Sequence, residues 1–139
     1  MEKFEIYVLG CGSALPTLRH NPSAQLLNVR DKLFLIDCGE GTQLSLRRTR
    51  QKFTRLSHIF ISHLHGDHLF GLIGLISTFA LTGRVAPLFL HAPADLQSLL
   101  QPQLDYFCRD ISFEVRFCPL PTTKEKTAVS YTHLTLPTK

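Results

Sequence analysis

The chain has no run of eighteen apolar residues, so no membrane-spanning helix is expected. Its start, Met1-Glu2-Lys3-Phe4, leads straight into an alternating segment. It lacks a basic stretch followed by an apolar core and a cleavage site, so no secretory leader is expected. Cysteine is sparse: Cys11, Cys38, Cys108 and Cys118 are scattered, and no C-x-x-C pair occurs. That spacing favours buried reduced thiols in a cytosolic protein over a disulfide framework. No internal repeat or low-complexity linker is present, and 139 residues make one domain's worth of chain. The turn Gly10-x-Gly12 lacks the third glycine of a dinucleotide fingerprint and runs through Leu15 into Pro16, not into a clean helix. A tight turn with close backbone approach is the better account. No acidic residue occurs between Gly41 and Gly66.

What is present is an apolar fraction of 44%, enough for a core, and a modest net charge of +4 that is unevenly distributed. Alternation predicts a strand over residues 5–9, then a pair over 23–29 and 33–37 with Arg30-Asp31-Lys32 as the turn. Residues 41–50 read as a helix, 58–62 as a short buried strand, and 69–81 as a helix that Gly83 ends. A strand over 87–91, a helix over 94–107 with Pro102 as a potential break, and an alternating segment over 111–117 complete the pattern. Strands first and strand–helix alternation afterwards predict stacked sheet and helix layers of an α/β fold.

The most informative stretch is His63-Leu64-His65-Gly66-Asp67-His68, placed between the β-branched run Ile59-Phe60-Ile61 and an apolar helical segment. Three imidazoles and a carboxylate at the end of a buried strand point to a metal site, because neutral imidazole and carboxylate oxygen are common zinc ligands. His63 and His65, two apart in extended chain, face the same way. Asp67 and His68 follow a glycine turn and face a neighbouring point, so two ions are expected rather than one. Manganese or iron also suit such donors. Asp37-Cys38-Gly39-Glu40-Gly41 reads either as a plain strand end and turn, or as a place where Asp37 takes a proton from a ligand histidine and fixes its tautomer. Arg47, Arg48, Arg50, Lys52 and Arg55 read either as a solvated face or as a phosphate-contacting patch. His58, five residues before His63, reads as a packed histidine; His91 and His133 are weaker ligand candidates.

His63-x-His65-x-Asp67-His68 resembles the signature of the metallo-β-lactamase superfamily. The wider string from Ser62, then Gly71-Leu72-Ile73-Gly74-Leu75, resembles ribonuclease Z, the transfer-RNA 3′-processing endonucleases of that superfamily. So do Asp37-Cys38-Gly39-Glu40-Gly41-Thr42-Gln43 and the opening Leu9-Gly10-Cys11-Gly12-Ser13-Ala14-Leu15-Pro16-Thr17. The resemblance implies the N-terminal half of an αββα sandwich over residues 1–128, and residues 129–139 no longer follow it. It implies a zinc-dependent endoribonuclease that removes 3′ extensions from precursor transfer RNA, in the cytoplasm, as a homodimer. It also implies His63 and His65 on one zinc ion, Asp67 and His68 on a second, and Asp67 as the group that takes the proton of the attacking water. In the segment Pro16 to Asn21 the family carries Pro-x-Lys-x-Arg-Asn, a loop that helps read the transfer-RNA 3′ end. Leu18 and His20 stand where the family has lysine and arginine.

Zinc lowers the pKa of a bound water from 15.7 to about 7, and two ions about 3.5–4 Å apart can clamp the oxygens of an in-line displacement. Two such ions need about three protein ligands each. The motif supplies four, and the family supplies a further histidine, a bridging aspartate and a last histidine from later sequence than this chain holds. Two other readings therefore stay open: a different metallo-β-lactamase-fold phosphodiesterase or ester hydrolase, and a metal-binding fragment without activity. Half of a layered sandwich is also expected to leave one sheet face bare, with poor solubility or self-association.

Overall fold

A computed structural model describes residues 2–121. Six strands form one mixed sheet in chain order: β1 (Phe4–Gly10), β2 (Ala24–Val29), β3 (Lys32–Ile36), β4 (Leu56–Phe60), β5 (Leu88–Ala92) and β6 (Val115–Pro119). The first three are antiparallel, and β3 to β6 run parallel. Arg30 and Asp31 turn the β2–β3 hairpin with φ of 51° and 63°, the sign that suits the right-handed twist of a hairpin.

Each parallel connection carries a helix: α1 (Thr42–Arg48), α2 (Leu72–Leu81) and α3 (Leu96–Phe107). The strand order advances in one direction, and right-handed crossovers then put all three helices on the same face. The core follows from this. Leu26, Leu35, Ile59 and Leu90 point from the sheet into Leu46, Leu72, Ile76 and Leu100 of the helices, all buried. Arg84 is buried as well, and its guanidinium donates to the carbonyls of Leu56, Ala86 and Pro87 at 2.7, 2.8 and 3.0 Å, pinning the chain that enters β5.

The other sheet face has no covering layer among the described residues. Phe4, Ile6 and Val8 are more than half exposed, and the strand register sets them beside Val29, Leu27, Phe34, Ile36 and Phe60. His58 and His91 lie on this face, with Nδ1 of the first 3.0 Å from Nε2 of the second. His58 stacks on Phe89 at 4.8 Å between ring centroids, and His91 on Phe60 at 4.4 Å. Burial lowers both pKa values; Lys32 adds to the effect on His58, and His58 adds to that on His91. His58 is thus a packed histidine, and His91 is engaged with it on the sheet face.

Several boundaries differ from the sequence expectation. The fourth strand covers Leu56–Phe60 rather than 58–62. Beyond Phe60 the Ile61 N–H goes to the His91 carbonyl (2.8 Å) and the Ser62 N–H to the Asp37 carboxylate (2.9 Å). The helix expected from residue 69 starts at Leu72, because the Gly71 N–H bonds across to the Cys38 carbonyl at 2.9 Å. The first helix is three residues shorter than 41–50, at Thr42–Arg48. Pro102 does not break α3; it is exposed, so water can serve the carbonyl its missing N–H leaves open. The last strand begins at Val115, not 111, because Phe113 leaves the sheet to sit against the Arg84 guanidinium.

Candidate metal centre

β3 and β4 are parallel neighbours, and their C-terminal ends deliver Asp37 and the 62–68 loop to the same edge of the sheet. The Asp37 N–H extends the pairing by donating to the Phe60 carbonyl at 2.7 Å. Asp37 then takes a φ of 59° and turns its carboxylate under the loop, where it is buried. It accepts from the Ser62 N–H (2.9 Å), the Ser62 hydroxyl (2.9 and 3.0 Å), the Ser23 hydroxyl (3.2 Å) and His68 Nδ1 (2.7 Å). Of the two readings of Asp37, the structure supports the one in which it fixes a histidine tautomer: His68 Nδ1 lies 2.7 Å from the carboxylate, which can only accept, and Nε2 is turned toward Asp67 Oδ2 at 3.4 Å.

Gly66–His68 forms one 3-10 turn rather than the first turn of a helix. It is tied down on two sides. The Cys38 N–H donates to the His68 carbonyl at 2.8 Å, and the Ala14 N–H donates to Asp67 Oδ2 at 3.0 Å. The glycine-rich turn after β1 is therefore a backbone prop for the motif carboxylate, and Ala14 adopts a φ of 56° to reach it. The Ala14 amide is the first cause that holds the Asp67 pKa below the usual carboxylate range; His68 and His63 act in the same direction. Glycine is required at two close approaches here. A Cβ on Gly39 would lie 2.6 Å from the Asp67 carbonyl, and one on Gly71 would run into the Gly39 carbonyl.

The four motif side chains form one cluster. The His63 ring lies 3.9 Å from that of His68 and 4.7 Å from that of His65, centroid to centroid, and His68 Nε2 lies 3.4 Å from Asp67 Oδ2. His63 thus touches its partner His65 and also His68 of the other expected pair. Desolvation first, then the neighbouring His68 and His65, keep the His63 pKa below the ordinary imidazole value. Among the described residues, no three His, Cys, Asp or Glu groups converge to hold one ion by themselves. The donor chemistry fits divalent ions, but the donor count completes neither site.

Of the other candidates, His133 and the 129–139 tail lie outside the described residues. His20 Nδ1 is 3.9 Å from the exposed Cys11 thiol, in a cavity of about 180 Å³ that Arg19 and Arg48 also line. All four cysteines are free, and burial pushes the Cys38 thiol up to about 12. The basic cluster is divided. Arg47 stacks over Phe53 and Arg55 pairs with Asp31 at 3.5 Å, while Arg48, Arg50 and Lys52 are exposed. Sequence reasoning named Ser62 and Ala14 within its motif strings but gave neither a role. Ser62 could have been found from its position directly before His63; the Ala14 amide leaves no side-chain signal.

Residues 4–117 match the family model described as anti-Pycsar protein Apyc1. The chain is 63% identical over 117 residues to a ribonuclease Z of Phocaeicola vulgatus, covering 84% of this chain and 38% of that protein. It is 59% identical over 131 residues to a ribonuclease Z of Bacteroides fragilis, covering 94% and 42%. The chain belongs to the ribonuclease Z family. It belongs to the family of the Apyc1 model by the same span of residues. Its structure resembles human tRNase Z, short form, with a TM-score of 0.77 and 33% identity over 90% of this chain and 48% of that one. A metallo-β-lactamase fold protein from Bacillus subtilis, 22% identical, matches with a TM-score of 0.65 over 83% of this chain and 45% of that one. The fold is that of the metallo-β-lactamase proteins, here one sheet and its helix layer. The chain spans about two fifths of the length of the curated relatives it matches.

Proposed function

We propose that this chain carries the N-terminal portion, residues 1–128, of a metal-dependent endoribonuclease that removes 3′ extensions from precursor transfer RNA in the cytoplasm, and that 129–139 lie outside that portion. The observation that carries the reading is the His63–His65–Asp67–His68 cluster braced by Asp37, in a chain 63% identical to a protein named ribonuclease Z.

His63, His65, Asp67 and His68 would hold the metal, with zinc, as two ions, favoured by the donor set. Divalent ions supply acidification of a water molecule and neutralisation of phosphate charge. The chain's own residues do the rest. Asp37 orients His68 through Nδ1, so that Nε2 is left as the donor atom. The Ala14 amide aims the Asp67 carboxylate into the cluster, where it would take a proton from the attacking water. Exposed Arg48, Arg50 and Lys52 offer cations to a polyanion. Four donors fall short of two complete sites, so the reading makes turnover a property of the longer protein, which the resemblance makes a homodimer.

The test is a chimaera in which residues 4–117 replace the matched segment of the Phocaeicola vulgatus ribonuclease Z. The expected result is cleavage of a 3′-extended precursor transfer RNA, reduced at least about 100-fold by Asp67→Ala. A folded, metal-loaded chimaera that hydrolyses a small chromogenic phosphodiester but spares the RNA would favour the alternative hydrolase. A chimaera that keeps its RNA cleavage after Asp67→Ala would remove the role given to that residue.

A further inference from the structure

The Ser62 hydroxyl touches both the buried Asp37 carboxylate and a motif histidine. Its oxygen lies 2.9 and 3.0 Å from the two Asp37 oxygens, 3.1 Å from His63 Nδ1 and 3.5 Å from His68 Nδ1. A hydroxyl has one proton to give and lone pairs to receive. Asp37 and His63 compete for that proton, and the carboxylate wins because a hydrogen bond to an ionised acceptor is about twice as strong as one between neutral groups. The count at Asp37 agrees. The Ser62 N–H, the Ser62 hydroxyl, the Ser23 hydroxyl and the His68 Nδ1 proton supply four donors to a group with about four acceptor sites. Once its proton is committed to Asp37, the Ser62 oxygen can only accept from His63, which places the His63 proton on Nδ1.

We propose that Ser62 is a positioning residue: it relays Asp37 to His63 and holds that imidazole as the Nδ1–H tautomer, with Nε2 free for a metal ion. Asp37 thereby sets two motif histidines at once, His68 directly and His63 through one hydroxyl. His63 and His68 present the same ring nitrogen although they lie on opposite sides of the Gly66 turn. The inference rests on the reading of these residues as metal ligands, but the tautomer itself is measurable without metal.

The experiment uses the 139-residue chain at a pH of about 8, where ordinary imidazole is neutral. Imidazole nitrogen NMR of the metal-free chain should show His63 protonated on Nδ1. In Ser62→Ala the His63 signal should become a tautomer mixture, while His68, still bonded to Asp37, keeps its proton on Nδ1. Zinc affinity by competition with a chromophoric chelator should fall about 10- to 100-fold in Ser62→Ala, the range for loss of a group that orients a metal ligand. Ser62→Thr, which keeps the hydroxyl, should restore both readouts. The inference is overturned if wild-type His63 carries its proton on Nε2, or if Ser62→Ala folds with the His63 tautomer and zinc affinity unchanged. The wild-type spectrum decides even where Ser62→Ala does not fold. A chain with the expected spectrum that binds no zinc counts against the metal reading and leaves the tautomer assignment standing.

Discussion

Asp37 holds a φ of 59°, in the left-handed region that costs most non-glycine residues about 1–2 kcal/mol and aspartate less. Four donors to its carboxylate more than offset that cost. Asp37→Ala would leave the His68 Nδ1 proton, two hydroxyls and the Ser62 amide without their acceptor. The expected loss is about 3 kcal/mol, read as a lower urea midpoint with an unchanged slope. Asp37→Gly separates the two effects: it relieves the backbone but removes the carboxylate, so it should recover only part of that loss. Glycine that fully restored stability would mean that the carboxylate contributes little. At this scale the proximity of His63, His65, Asp67 and His68 was legible in the sequence, because four ligand-type side chains within six positions cannot lie far apart. The supports were legible only in part. Asp37 stood out as a candidate, whereas the Ala14 amide is a main-chain group 53 residues from the side chain it serves.

Between elements, the contact that matters most is backbone against backbone. The strand end at Cys38 and the start of α2 meet through the Gly71 N–H and the Cys38 carbonyl, with no room for a Cβ at Gly71. Gly71 has an ordinary φ of −84°, so its requirement is purely steric. Gly71→Ala should cost about 1–3 kcal/mol, the range for overpacking, seen as a lower melting temperature. It should also loosen the 66–68 turn that hangs between Cys38 and Gly71. An alanine variant that melts with the wild type would show that the two loops part easily. Element types were readable from periodicity, but ends were not. Strand β4 stops at Phe60 and α2 waits until Leu72 because the Ile61, Ser62 and Gly71 amides bond to His91, Asp37 and Cys38, partners from other parts of the chain.

For the whole molecule, the one-directional strand order puts every helix on one face and leaves Phe4, Ile6 and Val8 on the other, more than half exposed. A sheet of six strands about 4.8 Å apart offers an apolar face of several hundred Å², near the largest patch a soluble monomer carries. The chain alone is expected to self-associate as its concentration rises, measured by sedimentation, with Ile6→Lys shifting the distribution toward monomer. A wild-type chain that stays a sharp monomer throughout would refute this. The sequence by itself determined the fold class, the strand–helix alternation and the donor motif, since each is a local pattern of residue type and spacing. Tertiary structure alone decided that the His63 ring lies against those of both His65 and His68. It likewise decided that His58 and His91 meet at hydrogen-bond distance away from them, and that Ser62 stands between Asp37 and His63. Those outcomes depend on which strand ends become neighbours, and in a parallel sheet that is fixed by crossovers joining residues far apart along the chain.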